Sequence, residues 1–132
     1  MPVEAQDAAQ IDAAFVKMRG QNAGALIVVL HPLFQQHRQQ ISDLAAKFRL
    51  PSMTNSSIYP EAGCLMSYGA NLYEHFRRTT YFVDSIFKGA KPADLPVEQP
   101  TKIELVINGR TAKALGLKIP QALLISAERV IE

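Results

Sequence analysis

Tryptophan is absent from this 132-residue sequence, and cysteine occurs once, at Cys64. A single cysteine excludes an internal disulfide, and no second cysteine or suitably spaced histidine stands beside it to build a zinc site. An excess of charge of one sign is also missing. Fourteen basic residues face 12 acidic ones for a net charge of +2, and the basic residues are scattered, so neither nucleic acid nor an anionic membrane is an expected partner. Nowhere do about 18 consecutive apolar residues occur, which excludes a membrane-spanning helix. The segment Met1-Pro2-Val3-Glu4-Ala5 lacks the basic flank, apolar core and cleavage site of an export signal. As written, the chain is expected to stay in the cytoplasm.

Catalytic signatures are equally scarce. No Gly-x-Ser-x-Gly elbow occurs, and no basic residue flanks Cys64 to activate its thiol, so Cys64 reads as a small buried hydrophobe. Gly20, Gly24, Gly63 and Gly69 stand apart and match neither a P-loop nor a dinucleotide fingerprint. No cofactor is expected. His31, His37 and His75 fall on different elements without metal-ligand spacing, so no metal site is expected either.

The residues that are present alternate between two periodicities. Ile11, Ala14, Phe15 and Met18 share a helical face, with Asp7 placed to cap and Gly20 to end a helix over 7–19. Ala25 to Leu30 is a short apolar run with the character of a strand covered on both faces. Pro32 starts a helix that runs to Phe48 through Ile41, Leu44 and Ala45. A brief extended segment at 50–54 precedes a loop at 55–60, and Leu65 to Tyr68 reads as a strand. A long helix over 71–88 carries Phe76, Phe82, Val83, Ile86 and Phe87 on its apolar side, where Phe76 and Phe82 read as packing residues. The prolines at 92, 96 and 100 mark an extended linker. A strand over 103–107, a short helix over 111–115 and a terminal helix over 120–130 complete the reading. Helices and strands at this spacing predict an α/β fold with a parallel sheet, a flavodoxin-like three-layer sandwich.

In such sheets ligands bind beyond the carboxyl ends of the strands. His31 follows the first apolar strand, where it serves either a ligand or only a helix cap. Tyr59 and Tyr68 lie at loop or strand-end positions where ring and hydroxyl face either a cleft or the core. Arg77 and Arg78 point about 100° apart on a helix and read as a solvated face.

The phrases Glu61-Ala62-Gly63-Cys64-Leu65-Met66-Ser67-Tyr68-Gly69, Lys88 to Lys102, Glu104 to Asn108 and Thr111 to Gly116 carry a resemblance. Together they closely resemble the C-terminal part of the solute-binding proteins of bacterial ABC importers, in the family that includes tryptophan-binding members. The resemblance extends from about residue 3 to the C-terminus. It implies two α/β lobes holding a small organic solute, with amino acids among the candidates, and a permease that reads their closure. It implies no catalysis. Residues 1–58 would belong to the C-terminal lobe, 59–90 would cross to the N-terminal lobe, and 91–132 would return. Cleft-facing positions carried over are His31 and Phe34, then Thr54, Asn55 and Ser56, then Ser67 and Tyr68. The sequence departs from the family where Ser56-Ser57 replaces a common Arg-Glu pair, removing a charged partner for an amino acid's α-groups. Cys64 in place of a glycine and Gly109-Arg110 in place of an apolar-Lys pair touch packing.

A working importer receptor acts outside the cytoplasm, in the periplasm or anchored at the membrane surface, and the missing signal agrees with an expected truncation on the N-terminal side. An incomplete periplasmic-binding-protein-like fold follows, in which strands at Val3 and Leu26 lack a shared central neighbour. Open edges of this kind favour a homodimer, through unpaired strands or exchanged elements, and the helix at 71–88 is a second candidate contact. A ligand-sensing or dimerisation module of the same fold, without a transport role, is the alternative reading.

Overall fold

The computed structural model describes residues 1–98 and 102–132. Asp7 accepts the Gln10 backbone N–H at 2.8 Å and so starts α1 (Ala8–Gly20), whose buried face is Ile11, Phe15 and Met18, as their spacing predicts. The apolar run that follows enters the sheet only as β1 (Leu26–Ile27). Six extended residues were expected there. The ladder is shorter because β1 pairs on one side only, with β2 (Ser52–Thr54).

Between these strands the expected single helix is two, α2 (Pro32–Gln36) and α3 (Arg38–Lys47), broken where His37 turns out of helical geometry. Ile41 and Ala45 of α3 pack with the buried face of α1, and Val28, Leu50, Tyr59 and Cys64 complete one core. The expected loop at 55–60 contains a further helix, α4 (Ile58–Ala62), which buries Tyr59 and Pro60 and ends at Gly63 with φ +118°. Tyr59 therefore belongs to the core and not to a cleft.

Next come β3 (Met66–Ala70), the long α5 (Leu72–Phe87), a 3-10 turn at Pro92–Asp94 inside the expected linker, and β4 (Ile103–Asn108). The last part of that linker, residues 99–101, lies outside the described residues. Asn108 caps α6 (Gly109–Leu115), which ends at Gly116 with φ +73°, a left-handed position that suits glycine. The expected terminal helix stops early as α7 (Gln121–Ser126), and Arg129–Ile131 forms β5 instead, because it finds a ladder partner in β4.

The sheet runs β1-β2-β3-β4-β5. The first three strands are parallel, β4 is antiparallel to β3 from Met66↔Ile107 to Ala70↔Ile103, and β5 is parallel to β4. The fold is thus α/β with a mostly parallel sheet. β3, expected in a second lobe, pairs here with β2 and β4 in the same sheet as β1. No ladder forms at Val3; that segment stays extended and packs on the core. Between residues 1–5, α1 and β1 lies an apolar groove of about 620 Å³, lined among others by Val3, Phe15, Met18, Leu26 and Val28.

Phe76, read from the sequence as a packing residue, is 70% exposed, whereas Phe82 is half-buried. An amphipathic pattern shows which side of a helix is apolar, but not whether anything covers it.

Candidate functional site

Because β1, β2 and β3 are parallel, their carboxyl ends share one edge of the sheet, and the loops leaving them carry the candidate residues. At the end of β1, His31 is exposed and caps α2: its Nδ1 accepts the Leu33 backbone N–H at 3.3 Å. Its ring lies 5.6 Å from that of Phe34. The capping role and the candidate site role fall on the same side chain, with Nδ1 used and Nε2 directed elsewhere on the ring.

At the end of β2, Thr54 is buried and its Oγ1 donates to the Ser56 carbonyl at 3.2 Å. Ser56 is itself buried. This bond folds the chain into a tight turn with Asn55 at its tip. Asn55 Oδ1 is buried and has no hydrogen-bond partner among the described residues. A buried acceptor left unpaired costs about 1–3 kcal/mol, so the position is held at the expense of stability.

On β3, Ser67 is buried and stands opposite Thr54 in the ladder, while Tyr68, the next residue, points to the other face and is 53% exposed. That face also presents Met53 and Ile27, the latter 74% exposed. Gly69 follows, and a Cβ there would come within 2.0 Å of the Asn55 carbonyl oxygen. Backbone meets backbone at this point, which fixes the Asn55 turn against β3.

Two groups therefore emerge from the seven candidates. His31 and Phe34 touch, and Thr54, Asn55 and Ser56 form one turn braced by Gly69 next to Tyr68. Thr54, Ser56 and Ser67 are turned inward and shape the edge, while His31, Asn55 and Tyr68 are the polar groups at it. Sequence reasoning missed the importance of Gly69, whose lone glycine gave no motif to notice. Among the described residues, no group of three or more His, Cys, Asp or Glu side chains gathers to hold a metal. The side chain of His75 lies outside the described residues.

Arg78, whose guanidinium stacks 4.2 Å from the Tyr81 ring centroid, also pairs with Glu98. The hydrogen bond to Glu98 holds the Arg78 pKa above its ordinary value, and the same bond lowers that of Glu98. The pair joins α5 to the segment after the 3-10 turn. It lies on another element than the candidate edge.

The profile of the family described as ABC transporter substrate binding protein matches residues 1–131. The chain belongs to this family, which is one of solute-binding proteins and not of enzymes. No curated protein matches the chain significantly. Among solved structures, a conserved domain protein from Vibrio cholerae is similar, with a TM-score of 0.86 and 24% identity over 96% of this chain and 42% of that one. An ABC domain from Streptococcus pneumonia in complex with L-Trp gives 0.87 and 24%, over 96% of this chain and 43% of the other. A ligand-free, open substrate binding protein with adhesive properties from Clostridium difficile gives 0.68 and 20%, over 96% and 42%. These likenesses agree on the fold, and the chain spans about two fifths of the length of the three structures. Substrate-binding proteins of ABC transporters work outside the cytoplasm. No helix among the described residues is long and apolar enough to cross a membrane.

Proposed function

We propose that this chain forms one wall of the solute cleft of an ABC importer receptor, which takes a small organic solute outside the cytoplasm and delivers it to a permease. The observation that carries this reading is Asn55 Oδ1, a buried acceptor without a partner, on the turn between the loop of His31 and Phe34 and the strand of Tyr68. A solute that draws the Asn55 side chain outward and donates an N–H or O–H to this sealed oxygen would relieve its desolvation on binding, and not before. Phe34 and Tyr68 offer rings for the apolar part, and His31 offers a second polar contact.

Ser56-Ser57 brings no charge to this edge, so recognition rests on hydrogen bonds and ring contact more than on ion pairing. Amino acids remain within the class, with an aromatic one such as L-tryptophan as the natural first probe, given the L-Trp-bound relative. In the two-lobed arrangement, residues 1–58 and 91–132 would serve the C-terminal lobe, and within 59–90 it is α5 that would reach towards the other. One wall alone encloses little of a ligand, whereas small-molecule sites commonly bury about 70–90% of it. The expected affinity is therefore low.

Amide chemical shifts of the 132-residue protein, followed as L-tryptophan and a panel of other small solutes are added to millimolar concentration, test the reading. Saturable shifts confined to residues around His31, Asn55 and Tyr68, and lost in Asn55→Ala, are expected. Shifts that fall elsewhere, or none with any solute, would overturn it. The exposed apolar face of α5 also favours the second reading, a module that associates with another chain.

A further inference from the structure

The sequence holds four asparagines, followed in turn by Ala23, Ser56, Leu72 and Gly109. Only after Asn108 does a glycine come next, and with no side chain its amide nitrogen is unshielded and its backbone free to fold back. In an open chain that nitrogen attacks the amide carbon of the asparagine before it. A bond from Gly109 N to Asn108 Cγ closes a five-membered imide, the Cγ–Nδ2 bond breaks, and Nδ2 leaves as ammonia with the proton of the Gly109 amide. Water then opens the ring at either carbonyl and leaves aspartate or the β-linked isoaspartate. The step needs no oxidant, metal or cofactor.

In the folded protein the reacting group is fully engaged. Asn108 ends β4 and is only 6% exposed, with its backbone N–H on the Leu65 carbonyl at 2.8 Å and Ile131 of β5 beside it in the ladder. Its Nδ2, the leaving group, donates to the Pro60 carbonyl at 2.8 Å, while Oδ1 accepts the Thr111 N–H at 3.0 Å. Thr111 Oγ1 fastens the same turn to the Gly63 carbonyl at 2.9 Å. Turning Cγ onto the Gly109 nitrogen forfeits both side-chain bonds of Asn108 in a place that water does not reach. Gly109 has none of the left-handed φ of Gly63 and Gly116, so backbone conformation does not demand a glycine there, although a Cβ would come within 3.1 Å of the Ile131 carbonyl oxygen.

We infer that Asn108 and Gly109 form a deamidation site gated by the fold, closed while α6 and β5 are docked and reactive once they open. The product does not fit the native cap. Either acid sets a carboxylate oxygen where Nδ2 met the Pro60 carbonyl, a buried charge facing an acceptor. Isoaspartate also adds a methylene to the main chain between β4 and α6. A transient opening thus becomes a permanent covalent change. This goes beyond solute recognition and does not depend on it.

The 132-residue protein and its Gly109→Ala variant, held at mildly alkaline pH in native buffer and in guanidinium chloride, test the inference. Trypsin cuts after Lys102 and Arg110, and mass spectrometry of the peptide between them, with its aspartyl and isoaspartyl forms separated by chromatography, gives the rate at Asn108. In guanidinium chloride Asn108 should convert ahead of Asn22, Asn55 and Asn71, and Gly109→Ala should slow it severalfold, a comparison that does not require the variant to fold. In native buffer the rate in the unaltered protein should fall about thirtyfold or more, because opening forfeits two buried hydrogen bonds, each worth roughly a factor of five. Converted chains returned to native buffer should unfold at lower urea than unconverted ones. Equal rates in the two solvents would overturn the gate. Another asparagine converting first in guanidinium chloride, or a rate there indifferent to Gly109→Ala, would overturn the site, and an unchanged urea midpoint after conversion would overturn its consequence.

Discussion

Removing one oxygen from the core should stabilise this protein. Tyr59 is 0% exposed, and among the described residues its hydroxyl has no hydrogen-bond partner. The ring packs in the core with Ile11, Phe15, Val28 and Cys64, and it is the ring that the core needs. Burying a hydroxyl without a partner costs about 1–3 kcal/mol. Tyr59→Phe removes that cost and leaves a gap of only one atom, which offsets part of the gain, so a net stabilisation of about 1 kcal/mol is expected. For a chain of this length that is a rise in Tm of about 4 °C. Urea unfolding with an unchanged m-value measures it directly. Destabilisation by about 1 kcal/mol or more would refute the reasoning, because it would mean that the hydroxyl makes a hydrogen bond, for instance to an ordered water.

The same group gives the protein an alkaline limit. Burial, reinforced by the neighbouring Cys64 and opposed by the charge of Arg38, pushes the Tyr59 hydroxyl from 10.0 up to about 12. Below pH about 10 the hydroxyl keeps its proton in folded and unfolded chains alike, and titration takes nothing from stability. Above it the unfolded chain releases its proton first, so stability falls as pH rises towards 12. Tyr59→Phe should flatten that part of the stability profile, and an unchanged slope would assign the loss to other groups.

Gly69→Ala should drive a methyl into the Asn55 carbonyl, 2.0 Å from the ideal Cβ, and cost more than about 2 kcal/mol in urea unfolding while displacing the Asn55 amide resonance. Asn108→Ala should cost about 2–3 kcal/mol, since buried Asn108 caps α6 by accepting from Thr111 N at 3.0 Å and donates to the Pro60 carbonyl at 2.8 Å. Glu61→Gln, by contrast, removes an ion pair with Arg129 in which both side chains are about half exposed, and should change stability by less than about 1 kcal/mol. Cys64, fully buried against the Ser42 hydroxyl at 3.2 Å, should resist thiol reagents until the protein unfolds, with labelling at the rate of global opening.

Local pattern located α1, α3, β3, α5 and β4, because in each the apolar spacing matches the period of the element that forms. Nonlocal pairing decided the rest. Arg129 to Ile131 continues a helical-looking run from Pro120, yet becomes a strand because β4 offers it an edge. β1 is cut to two residues because only one side of it finds a partner. α4 was hidden by Asn55-Ser56-Ser57 and Pro60, which read as loop chemistry although Pro60 sits inside a single short helical turn. At the candidate edge, the residue types were legible from the resemblance, but their division was not. Nothing in the letters distinguishes Ser67, sealed in the ladder, from Tyr68, its exposed neighbour; strand alternation does so only once the register is known.

If this edge is one wall of a solute cleft, that division bears on how it can recognise a solute that it cannot retain. Thr54 donates its hydroxyl to the Ser56 carbonyl, Ser67 lies buried opposite Thr54 in the ladder, and Gly69 lets β3 approach the Asn55 backbone, which together hold the Asn55 turn in place. Preorganisation of this kind lowers the entropy lost on binding. On that reading His31 and Tyr68, which are exposed, and Asn55, whose acceptor is unpaired among the described residues, would supply the directional contacts but leave most of a solute in water. In a closing receptor the second wall would add enclosure while this one keeps its geometry. Substitutions at Asn55 or Tyr68 should then change which solute is preferred, whereas whatever opposes this edge should set how tightly it is held.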